Sequence, residues 1–281
     1  MHDGEFAIDA GLVADLVAEQ FPAWGALPVV EVSGGTSNAM FRLGDDLVVR
    51  LPRTRRTSGD VVAEQRWLPQ LIPLLPTPTP RIVAAGEPAA GYPLRWTVQT
   101  WIEGTAPHPD RLADPIGLAH DLANFVRAFR RIDLPDAPTA HRGGPLADQD
   151  NGDRRAIAQH GGEIADVWGA GLAGPDPDPT WVHGDLMPGN LLVGPDGRLR
   201  AVLDFAAVGL GDPACDLIVA WNLLPAPARD VFRDALDVDD ATWARGRARA
   251  LAIALIALPY YRHTHPSFAA NAEHTIRAST E

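Results

Sequence analysis

From Pro28 onward the apolar positions first come in short runs of strand character. Pro28–Val32 ends at a Ser33-Gly34-Gly35 turn, and Ala39–Leu43 and Leu47–Leu51 flank Gly44-Asp45-Asp46, a hairpin signal. Arg81–Ala85 and Trp96–Trp101 form a second pair across the Gly86–Gly91 loop. Between the pairs the period changes. Val61, Val62, Trp67, Leu68 and Leu71 share one side of a helix predicted over Asp60–Leu71, with Pro69 working against its last turn. Pro76-Thr77-Pro78-Thr79-Pro80 reads as a stiff extended connector. The predicted order is three strands, a helix and two strands.

After Gly104 the pattern turns helical. Asp114-Pro115 supplies a cap and a first-turn proline, opening a helix to about Arg131 with Ile116, Leu118, Leu122, Phe125, Val126 and Phe129 inward. A Gly-, Asp- and Pro-rich loop leads to a helix near Arg154–Trp168. Asn190–Val193 and Arg200–Leu203 are short strands around Gly194-Pro195-Asp196-Gly197, a further hairpin. Helices are predicted over Pro213–Leu224, Ala226–Leu236 and Ala241–Leu258, with a short one after Ser267.

Composition narrows the class. The 281 residues are 46% hydrophobic and 21% charged, ordinary globular values, and no internal repeat is visible. A single cysteine, Cys215, excludes an intrachain disulfide and favours a reducing, cytoplasmic setting. Met1–Ala10 carries acids rather than a basic end with an apolar stretch, so no signal peptide is expected. The longest apolar run, Ala250–Leu258, has nine residues and is too short for a bilayer span, so no membrane partner is expected. Net charge is −12 with no basic stripe, which argues against nucleic acid and suits cationic ligands or plain solubility. All 24 basic residues are arginine. Any role that needs a lysine must fall elsewhere.

The chemistry concentrates in Trp181-Val182-His183-Gly184-Asp185-Leu186-Met187-Pro188-Gly189-Asn190, an H-x-D-x-x-x-x-N pattern directly before a strand. Asp204 follows Asn190 by fourteen residues, at the end of the next strand. Phosphoryl transfer from a nucleotide needs such a set. One carboxylate orients the attacking hydroxyl. An amide oxygen and a second carboxylate hold Mg2+, a hard cation that takes oxygen ligands. Upstream, Ser33, Gly34, Gly35, Thr36, Ser37 and Asn38 lie between two strands, where glycine N–H groups and hydroxyls can approach phosphates, or where they simply turn a hairpin.

Over about Val29–Leu258 the chain resembles the aminoglycoside phosphotransferase family, antibiotic kinases of protein-kinase-like fold. His183–Leu192 (HGDLMPGNLL) is the most specific part, and Gly211-Asp212-Pro213-Ala214-Cys215-Asp216-Leu217 is similar to the family's G-D-P-x-x-D-L. The resemblance implies an α+β, two-lobed fold. Residues 1–102 would form an antiparallel N-lobe with one helix, and residues 103–281 a mostly helical C-lobe. It implies Asp185 as catalytic base, Asn190 and Asp204 as Mg2+ ligands, and His183 as the residue pinning the loop. Phe205-Ala206 stands where protein kinases have Phe-Gly. Arg50, in Leu47-Val48-Val49-Arg50, stands where the family has a phosphate-gripping lysine, with Glu64 placed to pair with it. Arginine bonds phosphate bidentately but is longer and planar. Trp101-Ile102-Glu103-Gly104 is similar to the hinge, whose backbone at Thr100, Trp101 and Ile102 would bond the base of ATP or GTP. Val48 and Val98 would wall the base and Leu192 and Val202 floor it. Asp212 and Asp216 read as helix-start and loop-bracing carboxylates.

The acceptor implied is a hydroxylated small molecule, an aminoglycoside or another natural-product antibiotic such as a macrolide or cyclic peptide, giving resistance by modification. Kin of the same fold phosphorylate choline, homoserine or sugars, and a pseudokinase that binds nucleotide without transfer is the other class. Specificity would sit around Asp148–Asp153, Trp221, Tyr260, Tyr261 and His263. Three other readings fail. Gly209-Leu210-Gly211-Asp212-Pro213-Ala214 matches a dinucleotide fingerprint but lacks the following strand and acid. No G-x-S-x-G or H-E-x-x-H occurs. His263 and His265, two apart on a helix, diverge rather than chelate, and Asp237, Asp239 and Asp240 read as a capping turn.

Overall fold

A computed structural model describes residues 4–32, 37–149, 157 and 162–281. The chain divides into two compact units, Met1–Pro73 with Pro78–Glu103, and Leu74–Thr77 with Gly104–Glu281.

The first unit is built on a five-stranded antiparallel sheet. Its strands are β1 Val29–Val32, β2 Asn38–Leu43, β3 Leu47–Pro52, β4 Ile82–Gly86 and β5 Trp96–Thr100, in the order β1-β2-β3-β5-β4. The helix α2 spans Ser58–Leu71 and carries Pro69 inside its last turn without stopping there. Val61, Trp67, Leu68 and Leu71 are buried, but Val62, expected inward, is 49% exposed. Val61 and Leu68 lie seven residues apart, two helical turns, whereas Val62 points round the cylinder.

A second helix, α1 (Ala10–Gln20), precedes the sheet, capped by Asp9, which accepts from the Leu12 N–H at 2.8 Å. Its Val13, Leu16 and Val17 pack with Phe41, Leu43, Leu51, Trp96 and Val98 in one core. The pattern reading above starts at Pro28 and omits this element. Its signal was present: a capping aspartate, then apolar residues at 12, 13, 16 and 17.

The second unit is mostly helical. Its helices among the described residues include α3 Pro115–Arg130, α4 Gly162–Leu172, α5 Val219–Asn222, α6 Ala226–Leu236, α7 Asp240–Tyr261 and α8 Pro266–Thr280. Asp114 caps α3 through the Gly117 N–H at 2.8 Å, and Leu118, Leu122, Phe125, Val126 and Phe129 are buried as the pattern requires. Ile116 is the exception, at 40% exposure in the first turn. The predicted start of the Arg154 helix lies outside the described residues. The stretch expected as one helix over Pro213–Leu224 is a 3-10 run, Pro213–Ile218, followed by α5. The helix after Ser267 is a full fifteen residues, not a short piece.

Two small antiparallel ladders complete this unit. β7 (Leu191–Val193) pairs with β8 (Leu199–Val202), the expected hairpin. β6 (Thr180–Val182) pairs with β9 (Gly209–Gly211), which the sequence reading did not contain. The glycines of β9 are there for close approach. A Cβ on Gly209 would sit 2.4 Å from the Pro138 carbonyl oxygen, and one on Gly211 2.5 Å from the Gly143 Cα. The G-x-G of the dinucleotide fingerprint is therefore a packed strand.

Candidate active site

β6 delivers the chain into His183, and the loop that follows is held at His183, Gly184, Asp185 and Asn190. His183 is fully buried, its ring edge-on to Phe205 at 4.9 Å and flanked by Phe125 and Phe129. Its Nδ1 accepts from the Asp185 N–H at 3.3 Å, so the proton belongs on Nε2, which donates to the Leu203 carbonyl at 3.1 Å. One neutral imidazole thus joins the loop before β7 to the end of β8. The chain turns at Gly184, whose φ of +79° suits glycine.

Asp216 holds the same turn from below. Its carboxylate accepts from the His183 N–H at 2.9 Å and the Gly184 N–H at 2.8 Å. Complete burial pushes this carboxyl above the ordinary carboxylate range, against the pull of those two donors and of the Arg130 charge. Asp212 caps the 3-10 run by accepting from the Ala214 N–H at 2.9 Å. It also pairs with Arg249 at 2.9 Å and Arg245 at 3.2 Å, all three side chains buried. The two arginines lie four apart on α7, a spacing that could have flagged them, and the sequence reading passed over both.

Asp185 projects from this frame with 27% of its side chain exposed. Asn190 Nδ2 donates to its Oδ2 at 3.0 Å and to its backbone carbonyl at 2.9 Å. That fixes the amide orientation and turns Asn190 Oδ1 away from Asp185, free to serve as a ligand oxygen. The Asn190 carbonyl accepts from the Leu203 N–H at 2.8 Å, and Asp204 is the next residue along. Asp204 has φ of +61°, a left-handed conformation uncommon outside glycine, and its Oδ1 lies 3.4 Å from the Ala206 N–H. An amide oxygen just before β7 and a carboxylate just past the end of β8 are donor types that fit Mg2+, which takes few protein ligands and relies on water and substrate phosphates for the rest. Among the described residues no cluster of three or more His, Cys, Asp or Glu forms a metal cage.

The hairpin behind these groups is anchored to α3. Asp121 accepts from Arg198 at 2.6 and 2.8 Å and from the Leu199 N–H at 3.1 Å. Gly197, at φ +77°, closes the turn where a Cβ would strike the Asp114 nitrogen at 2.5 Å.

A further group stands on Asp185 that no motif announced. The Arg142 guanidinium pairs with its Oδ1. Arg142 lies 43 residues earlier, in a Gly- and Pro-rich stretch without periodicity, so the sequence offered no sign of it.

In the first unit the structure brings Arg50 and Glu64 together. Arg50 Nη1 donates to both carboxylate oxygens, at 2.7 and 2.8 Å, with Arg50 6% and Glu64 2% exposed. Gln99 Nε2 adds a long contact to Glu64 at 3.5 Å. Of the loop Ser33–Asn38, residues Ser33, Gly34, Gly35 and Thr36 lie outside the described residues. The Ser37 carbonyl accepts from the Arg53 N–H at 2.9 Å, and Asn38 is buried at the start of β2 with its Oδ1 unpartnered.

At the hinge-like segment the Thr100 N–H is taken by the Arg81 carbonyl at 2.9 Å and the Trp101 N–H by the Asp46 carbonyl at 2.7 Å. Of the three residues expected to meet the base through their backbone, only Ile102 keeps an N–H without a protein partner among the described residues. Val48, Val98 and Val202 are buried and Leu192 half-buried.

The acceptor candidates separate. Trp221 is 1% exposed and packs, tilted, against Trp243 with ring centroids 4.6 Å apart, so it belongs to the core. Tyr260 and His263 are exposed, Tyr261 is half-buried, and Asp148 sits on an exposed 3-10 turn. Asp150 and Asp153 lie outside the described residues. Burial pushes the Cys215 thiol up to about 12, and its Sγ donates to the Arg142 carbonyl, so it is a packing residue rather than a nucleophile.

A family model described as "Phosphotransferase enzyme family" matches residues 28–251. The chain belongs to that family. It is a phosphotransferase with the kinase-like fold of the antibiotic kinases. The GDP and kanamycin complex of APH(2")-IIia is similar over 95% of this chain and 97% of its own, at 16% identity and a TM-score of 0.76. ADP-bound aminoglycoside phosphotransferase APH(2'')-Ib matches over 98% and 99%, at 16% identity and 0.64. Macrolide 2'-phosphotransferase MphH from Brachybacterium faecium matches over 95% and 97%, at 22% identity and 0.63. No curated protein matches. Among the described residues of this phosphotransferase, no helix is long and apolar enough to cross a membrane.

Proposed function

We propose that this protein transfers the γ-phosphoryl group of ATP or GTP to a hydroxyl of a natural-product antibiotic. The observation that carries the reading is the Asp185 carboxylate. It is presented by a loop locked through His183 and Asp216, and oriented by the Asn190 amide, whose other face is left for a cation.

In this reading Asp185 is the catalytic base. It accepts the hydrogen bond of the acceptor hydroxyl and takes its proton as the oxygen attacks phosphorus. Asn190 Oδ1 and Asp204 hold Mg2+, which supplies charge neutralisation on the transferring phosphoryl group. Arg50, braced by Glu64, grips the nucleotide phosphates where relatives use lysine, with N–H groups and hydroxyls of the Ser33–Asn38 segment as further phosphate donors. The Ile102 N–H serves as the hinge donor to the base. His183 and Asp216 touch no reactant and act by position. The antibiotic acceptor rests on the family and on structural neighbours in complex with kanamycin and named for macrolides.

The test is transfer of label from γ-labelled ATP, then GTP, across aminoglycosides, macrolides, cyclic peptides and common hydroxylated metabolites. Magnesium-dependent labelling of an antibiotic is expected. Labelling of choline, homoserine or a sugar alone would move the acceptor to metabolism. Nucleotide binding without any transfer would overturn the enzymatic reading.

A further inference from the structure

Asp216 is not the only residue of its stretch that grips the loop carrying Asp185. Further along, Asn222 ends α5 with its side chain in the interior, 1% exposed. Its Nδ2 donates to the Leu186 carbonyl at 3.1 Å and to Met187 Sδ at 3.2 Å. Leu186 is fully buried, and among the described residues its carbonyl has no other partner. The N–H of the same peptide, on Met187, donates to the Asp185 carbonyl at 2.8 Å. The Leu186–Met187 peptide is thus held at both ends, by Asn222 at its oxygen and by Asp185 at its nitrogen. The stretch from Asp216 to Asn222 therefore holds the loop on both sides of Asp185. Asp216 takes the His183 and Gly184 N–H groups before it, and Asn222 takes the Leu186 carbonyl after it.

Asn222 is itself anchored. Its backbone carbonyl, at the open end of α5, accepts from Asn271 Nδ2 on α8 at 2.7 Å. Stability alone does not account for an amide here. Asn222 Oδ1 is buried without a partner, which an apolar side chain of similar size would avoid. With Met187, Ile218, Ala254, Phe268 and Ala272, Asn222 also lines a mostly apolar cavity, so Met187 has space to move into once the amide is gone. We propose that Asn222 is a positioning residue for phosphoryl transfer: through the Leu186–Met187 peptide it sets where the Asp185 carboxylate stands, without itself meeting a reactant. This rests on Asp185 being the base. A shift of about 1 Å in a reacting group costs roughly a hundredfold in rate. Loss of the Asn222 donor should therefore lower kcat and leave nucleotide binding alone.

The test uses the full-length protein with N222L, N222A and D185A beside it. Turnover is read as ADP release from magnesium-ATP, with the acceptor that the labelling screen identifies or, where it labels none, with water. N222L should lower kcat roughly 10–100-fold while KM for magnesium-ATP stays within about twofold. It should melt close to wild type, because it exchanges one unpartnered oxygen, Asn222 Oδ1, for another, the Leu186 carbonyl. Hydrogen exchange at the Met187 and Asn190 N–H groups should be faster than in wild type, with exchange in α7 unchanged. N222A, which removes the donor without adding bulk, should show the same split between kcat and KM. A wild-type kcat in either variant, a loss carried by KM, or unchanged exchange at Met187 overturns the proposal. Failure of both variants to fold would make Asn222 a residue of the fold and overturn it as well. Turnover at the wild-type rate in D185A would instead overturn the assignment of the base.

Discussion

Arg50 and Glu64 form a charge pair in which both partners have left water, and this sets what each substitution does. Removing one partner takes a buried counter-charge from the other, which costs roughly 3–5 kcal/mol, whereas replacing both by apolar residues of similar volume is often neutral. E64A should therefore lose about that much in urea unfolding. The double variant R50M/E64L should regain most of it while nucleotide affinity stays lost. A double variant as unstable as E64A would contradict the argument. The same residue-by-residue view explains why the sequence was legible here. Arg50 and Glu64 each hold a motif position, and a strand end plus a helix face bring them together. Arg142 holds none, and only the folded backbone shows that its loop runs along β9.

At the scale of elements, caps and close contacts decide stability. Asp239 begins α7 by accepting from the Thr242 N–H at 2.8 Å and the Thr242 hydroxyl at 2.7 Å, and those bonds hold its carboxyl below the usual range. A depressed folded-state pKa contributes stability above the unfolded value of about 3.9, and that stability is lost as pH falls through the folded value. D239A should cost about 1 kcal/mol at pH 7, and the gap to wild type in urea unfolding should shrink toward pH 3. An equal gap at both pH values would contradict it.

Gly86 ends β4 where a Cβ would fall 1.9 Å from the Trp96 indole, so G86A must displace a fully buried ring. We expect a loss of about 1–3 kcal/mol and an altered tryptophan emission. Long amphipathic helices and two-residue-period strands were readable because their periods repeat several times. β6 and β9, three residues each, repeat too little to register, and the glycines of β9 look like a loop until Pro138–Gly143 is seen against them.

At the scale of the whole molecule, the two units carry different parts of the chemistry. Strand geometry and a buried ion pair prepare the residues proposed to grip the nucleotide in one. A loop locked by a neutral histidine and a buried aspartate presents the carboxylate, amide and second carboxylate in the other. The H-x-D-x-x-x-x-N spacing announced that second set because it encodes one short rigid turn. The contact of Arg142 with Asp185 was not announced, since it joins segments 43 residues apart in sequence.

The central claim is that Asp185 acts on the acceptor's proton and not on the fold or the nucleotide. The most direct measurement is D185A, followed for ATP binding, melting temperature and acceptor-dependent phosphate transfer in one preparation. Binding and melting should match the wild type while transfer falls by about 10²–10⁴. Transfer at the wild-type rate would contradict the claim.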